Sequence, residues 1–231
     1  HYLPTFKQPE VRMMLVAYAA MEAVHQEAYS LLLETLGKSE EMYQEFFDIH
    51  AMMEKHEYLQ DFSMKTPFDM AKTMAVYSAF TEGVQLFSSF AILLNYPRHN
   101  LMKGMGQIVT WSIRDESLHV EGLSKLFRTF MQENPDLWTD KLKYEIYCAA
   151  EKTVELEDNF IDICFDKANV PNLTAKEVKE YIRYIADRRL LGIGMKKIFH
   201  SDENPLPWID MQLNAVEHTN FFENRATEYA K

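Results

Sequence analysis

The chain is short of the residues that make turns: its 231 positions hold 7 Gly and 8 Pro. An all-β fold needs a turn about every 8–12 residues, so this supply favours long helices. Cysteine is almost missing. Cys148 and Cys164 are too few for a disulfide framework and lack the paired spacing of a zinc site. They are expected to be small buried apolar residues. No apolar run approaches the ~20 residues of a membrane span, and no signal-peptide pattern is present. A cytoplasmic protein with no membrane partner is the default expectation. Basic charge is also scarce, with 24 Lys+Arg against 35 Asp+Glu and a net charge of −11. A nucleic-acid backbone demands concentrated Lys and Arg, so nucleic acid is not an expected partner. The same acidity is compatible with carboxylates gathered around a cation. No Gly-rich phosphate loop occurs.

What is present is a normal globular composition, 47% hydrophobic and 26% charged. The length suits one large domain spanning residues 1–231, with ample core. The chain opens on His1 rather than Met and stops at Lys231 in a polar run. It is therefore expected to be part of a longer polypeptide.

Turn and capping residues divide the chain into long helices, an all-α pattern. Pro9 starts a helix that runs to Gly37. Ser39 is expected to cap a second, with Glu40 and Glu41 where the dipole favours anions, reaching about Phe62. Thr66-Pro67 opens a third, with Asp69 in the capping-box position, and Asn95-Tyr96-Pro97 closes it. A fourth is expected from about Leu101 to Gln132 and a fifth from about Asp136 to Ala168. Thr174-Ala-Lys-Glu177 is a capping box for a sixth, weakened at its end by Gly192 and Gly194. Beyond Ser201 the pattern is irregular. The stretch Met70–Leu94 is apolar around much of its circumference and belongs at the centre of a bundle.

Residues three apart share one helix face. Glu22 with His25, and Glu116 with His119, can therefore each address one ion. Two such Glu-x-x-His pairs plus two further carboxylates make up the ligand pattern of dinuclear bundle proteins. Oxygen-rich donors with one imidazole per metal suit iron or manganese. By count alone the pairs are weak evidence. Their placement mid-helix among Met21, Ala23, Val24, Ile113 and Leu118 adds weight, because ionised carboxylates there require a partner. The bland alternative is two local Glu–His hydrogen bonds. Glu82 stands alone in an apolar stretch and reads as a further ligand or as the partner of a buried base. Tyr29 lies one turn past His25 on the same face, where a phenol could give up an electron and a proton. A plain core tyrosine is the alternative. Asp115 could accept the second N–H of a ligand histidine such as His25, or pair with Arg114.

At these residues the sequence resembles the small, radical-generating subunit of class I ribonucleotide reductase. The likeness lies in Met-Glu22-Ala-Val-His25-Gln-Glu-Ala-Tyr29, in Thr-Glu82-Gly-Val-Gln-Leu86 through Phe90, and in Arg-Asp115-Glu116-Ser-Leu-His119. It continues in Tyr184-Ile-Ala-Asp-Arg-Arg189, in Asn204-Pro-Leu-Pro-Trp208, and in Thr219-Asn-Phe-Phe-Glu223 with Arg225 and Glu228-Tyr229. The resemblance implies a ferritin-like helical bundle with a dinuclear metal centre. The pair is read first as Fe/Fe, with Mn/Mn or Mn/Fe as alternatives. Glu22, His25, Glu82, Glu116 and His119 would be ligands, Tyr29 the radical site, and Asp115 the link from a ligand histidine to the radical-transfer path. Leu86 and Phe90 would line the radical pocket, with Leu86 replacing an expected phenylalanine.

The implied activity is that of a ribonucleoside-diphosphate reductase beta subunit. It would act as a homodimer with a large alpha subunit, and a flavodoxin-like activator is a candidate further partner. The family's sixth ligand, a carboxylate, and an upstream tryptophan are expected before His1, and a docking tail after Lys231. Glu10 cannot replace the sixth ligand, since twelve helical residues from Glu22 span about 18 Å. The rival readings are another di-metal oxidase (desaturase, hydroxylase or ligand-binding oxidase), iron storage, and a purely structural bundle.

Overall fold

The computed structural model describes residues 2–215, which are helical and contain no strand. Its helices are α1 (Tyr2–Thr5), α2 (Pro9–Thr35), α3 (Glu41–Asp48), α4 (His50–Gln60), α5 (Pro67–Val76), α6 (Phe87–Arg98), α7 (Lys103–Glu133), α8 (Asp140–Lys167), α9 (Ala175–Gly192) and α10 (Pro207–Ala215). A π-helical segment, Tyr77–Thr81, follows α5, and a 3-10 turn, Pro135–Leu137, precedes α8.

Both expected capping boxes form. Thr66 accepts from the Asp69 amide, Thr174 accepts from the Glu177 amide, and each acid accepts from its cap residue's backbone N–H. Several expectations need correction. Ser39 caps nothing with its side chain, and the second helix breaks at Ile49, whose backbone is extended. The third is interrupted by the π segment and by a turn at residues 82–86. The fifth begins at Asp140, because Pro135 builds a 3-10 turn and Thr139 caps the helix that follows, accepting from the Leu142 amide. Cys148 and Cys164 are half-buried rather than core residues, and unpaired.

The central layer is the segment from α5 to α6. Met74, Phe80 and Leu94 are at most 1% exposed there, and each fully buried side chain of this kind contributes about 1.5–3 kcal/mol. This segment packs against α7, α8 and α9, so its all-round apolar character is used on every side. α4 packs on α8, while α2 lies along α7. α2 buries only Leu15 fully and leaves Met13, Val16, Val24 and Leu31 more than half exposed.

The later motifs have structural work. Asp187 is fully buried and accepts from the backbone amides of Ile198, Phe199 and Ser201, fixing the loop after α9. Asn204 accepts from the Leu206 amide, and the Arg98 guanidinium stacks 4.1 Å over Trp208. The motif from Thr219 to Tyr229 lies outside the described residues. Among the described residues no helix is long and apolar enough to cross a membrane.

Candidate metal centre

Three elements meet at the acidic residues: α2 brings Glu22 and His25, the turn after the π segment brings Glu82, and α7 brings Glu116 and His119. One ligand atom from each of Glu22, Glu82, Glu116 and His119 lies within 4.8 Å of the others. His119 Nδ1 stands 3.1 Å from Glu22, 3.4 Å from Glu116 and 3.9 Å from Glu82. His25 is outside that tight set but borders it. Its Nδ1 lies 3.5 Å from Glu116 and 3.6 Å from Glu22. Its Nε2 is 2.9 Å from Asp115 Oδ2. Asp115 therefore bridges helices to His25 rather than pairing with its neighbour Arg114. Glu10 is exposed in the first turn of α2 and takes no part.

The local Glu–His hydrogen bonds of the bland reading are not what organises these groups, because the shortest contact to His119 crosses from α2 to α7. The site's chemistry fits a cation. Burial, a hydrogen bond with Glu116 and the charges of Glu116 and Glu22 push the Glu82 carboxyl up to about 8. Burial disfavours the charged form of His119, but Glu116 and Glu22 outweigh it and push the imidazole up to about 10. Glu22 is held below the usual carboxylate range, first by its hydrogen bond to His119 and against its partial burial. Buried Glu116 Oε2 and His119 Nε2 have no hydrogen-bond partner among the described residues. Carboxylates this close repel one another, and divalent ions would relieve that repulsion.

Tyr29 is half-buried one turn from His25 and donates to Ser112 Oγ at 3.0 Å. Ser112 in turn donates to the Ile108 carbonyl. Burial raises the phenol's pKa against the effect of the Ser112 bond. Tyr29, Leu86 and Phe90 line one open cavity of about 570 Å³, which also reaches Glu22 and Glu116.

Sequence reasoning missed several neighbours. The Tyr18 ring lies 4.3 Å from the His119 ring, and its hydroxyl donates to the Leu118 carbonyl. Glu157 on α8 is fully buried, with Lys55 and Ser88 as partners. It stands in the acidic run Glu155-Leu156-Glu157-Asp158, where nothing local marks it as the buried carboxylate.

A family model described as "Ribonucleotide reductase, small chain" matches residues 1–205. The chain is 46% identical over 248 residues to a probable ribonucleoside-diphosphate reductase small subunit of Invertebrate iridescent virus 3. That match covers all of this chain and 66% of the relative. It is 32% identical over 234 residues to a ribonucleoside-diphosphate reductase subunit beta of Chlamydia pneumoniae, covering 96% of this chain and 67% of the relative. The chain thus spans about two thirds of the length of these relatives. A ribonucleotide reductase R2 subunit from Clostridium botulinum superposes with a TM-score of 0.81 at 20% identity, covering 88% of this chain and 67% of that one. A dimanganese(II) NrdF from Streptococcus sanguinis gives 0.76 at 23% identity, over 91% and 73%. These two likenesses establish the ferritin-like helical fold.

Proposed function

The chain belongs to the ribonucleotide reductase small-chain family, and on that premise we propose that it generates and stores a tyrosyl radical for a separate large subunit, which reduces ribonucleoside diphosphates. The observation that carries this reading is the alignment of three features. The carboxylate–imidazole cluster sits at one end, Tyr29 lies one turn from His25, and Asp115 holds the far side of His25.

Glu22, His25, Glu82, Glu116 and His119 would hold two metal ions. We read the pair as iron first, with manganese or a mixed pair as alternatives that the same donors accept. When bound and oxidised, such a pair supplies one-electron oxidising power. Tyr29 Oη is the atom that gives up its hydrogen, with Ser112 Oγ accepting its hydrogen bond in the resting protein. Asp115 accepts from His25 Nε2, which fixes the tautomer and leaves Nδ1 free toward Glu22 and Glu116. Asp115, on the side of His25 away from the cluster, would carry the oxidising equivalent onward toward the large subunit. The working assembly is a homodimer with that subunit, and a flavodoxin-like protein is one source of the oxidant.

The test is turnover. Full-length protein, loaded with metal and mixed with its large subunit, should convert ribonucleoside diphosphates to deoxyribonucleoside diphosphates. Tyr29→Phe should abolish the conversion. Product formation unchanged in Tyr29→Phe would reject the radical role.

A further inference from the structure

Glu82 does not stand on a regular helix. The π segment ends at Thr81, and residues 82–86 form a turn before α6 begins at Phe87. The amides of Glu82 and Gln85 reach five residues back, to Tyr77 and Phe80. The Phe87 amide turns to Val84 rather than to Gly83. Breaking the ladder in this way leaves carbonyls that need other donors, since a buried orphan is costly.

Two cations from distant helices supply them. Arg189 Nε on α9 donates to the Gly83 carbonyl at 3.1 Å. Lys55 Nζ on α4 donates to the Gln85 carbonyl at 2.9 Å. Neither contact is incidental. Arg189 faces no carboxylate among the described residues, and its guanidinium lies 5.1 Å from the centre of the Phe87 ring. Burial, with a smaller push from the Arg188 charge and against Tyr181, lowers its pKa to about 10. A buried cation without an ionic partner is expensive, so its carbonyl acceptor matters. Gly83 is what lets it approach: a Cβ there would sit 2.8 Å from Arg189 Nε and 2.3 Å from the Ala79 carbonyl. Lys55 is anchored from behind by Glu157, which also binds Ser88 in the first turn of α6. The same stretch is therefore tied at Gly83, Gln85 and Ser88.

We propose that Arg189 and Lys55 are positioning residues for Glu82: by holding the carbonyls of the turn they fix where its carboxylate stands relative to Glu116 and His119. This rests on the reading of Glu82 as a metal ligand. Neither cation acts on the chemistry itself. Each acts through the backbone that follows that carboxylate, at Gly83 and Gln85, a role whose loss weakens metal binding by about 10- to 100-fold in comparable outer-shell cases.

The experiment uses full-length protein and Mn(II) as the probe, with binding followed by EPR and calorimetry. Hydrogen exchange at residues 83–87 is measured on the metal-free form. Arg189→Met should weaken one of two Mn(II) ions by about 10- to 100-fold and speed exchange in the turn, while leaving the other ion bound. Arg189→Lys, which keeps a donor, should recover much of that loss. Lys55→Met combined with Glu157→Gln should act in the same direction, and serves if Arg189→Met does not fold. Unchanged Mn(II) affinity and unchanged exchange in a folded variant would overturn the proposal. Glu82→Gln separates the two ideas. If it also binds two ions normally, the reading of Glu82 as a ligand fails. If it loses one while the cation variants do not, only the positioning role fails.

Discussion

Metal binding to this chain should release protons, and the number follows from the site. Without metal, Glu82 is pushed up to about 8 and His119 to about 10. A ligand carboxylate must be ionised and a ligand imidazole neutral, so both groups must lose a proton when metal enters. At pH 7 Glu82 lies one unit below its pKa and is about 90% protonated, and His119 is almost fully protonated, so loading releases about two protons per chain. The sign is that affinity rises with pH, because the metal-free form is the one that binds the extra protons. The slope should be about two log units of affinity per pH unit near 7. It should fall to about one between pH 8 and 10, where only His119 still titrates. Anaerobic calorimetry with Mn(II), in buffers of differing ionisation enthalpy, reads the proton count directly. Glu82→Gln should reduce it by about one. A release near zero at pH 7, or an affinity that falls as pH rises, would refute the electrostatic account of the cluster.

Three further outcomes follow from the packing. Glu157→Ala leaves Lys55 as an unpaired charge in the interior and should cost about 3–5 kcal/mol in urea unfolding. Replacing both partners with apolar residues of similar size should cost clearly less. Asp187→Ala strands three backbone amides, each worth about 1–3 kcal/mol when buried and unsatisfied. A loss under about 1 kcal/mol by thermal denaturation would show that the loop after α9 re-forms its bonds elsewhere. Tyr29→Phe should lower stability by no more than about 1.5 kcal/mol, since Ser112 keeps its bond to Ile108.

Much of the fold was legible because its punctuation is local. Thr66 and Thr174, each followed three residues later by an acid, mark helix starts by a mechanism contained within one turn. The all-round apolar stretch from Met70 to Leu94 announced a central element in the same way. The breaks were not legible, because their causes are distant in sequence. The interruption at residues 82–86 depends on Arg189 and Lys55 reaching in from other helices, and Ile49 carries no breaker residue. At the site, helical spacing brought Glu22 toward His25 and Glu116 toward His119. It did not reveal that His119 lies closer to Glu22 than to its own partner Glu116. The choice between Arg114 and His25 as the partner of Asp115 likewise needed the packing of α2 on α7. Ser112 and Tyr18 carry no pattern of their own and emerge only from the fold.

The most direct test is EPR spectroscopy of the full-length protein, loaded with Fe(II) or Mn(II) and exposed to an oxygen-derived oxidant, with ring-deuterated tyrosine incorporated. A phenoxyl signal should form that narrows on deuteration and vanishes in Tyr29→Phe while two metals per chain remain bound. A tyrosyl signal that persists in Tyr29→Phe, or no signal with iron, manganese or the mixed pair, would contradict the radical role of Tyr29.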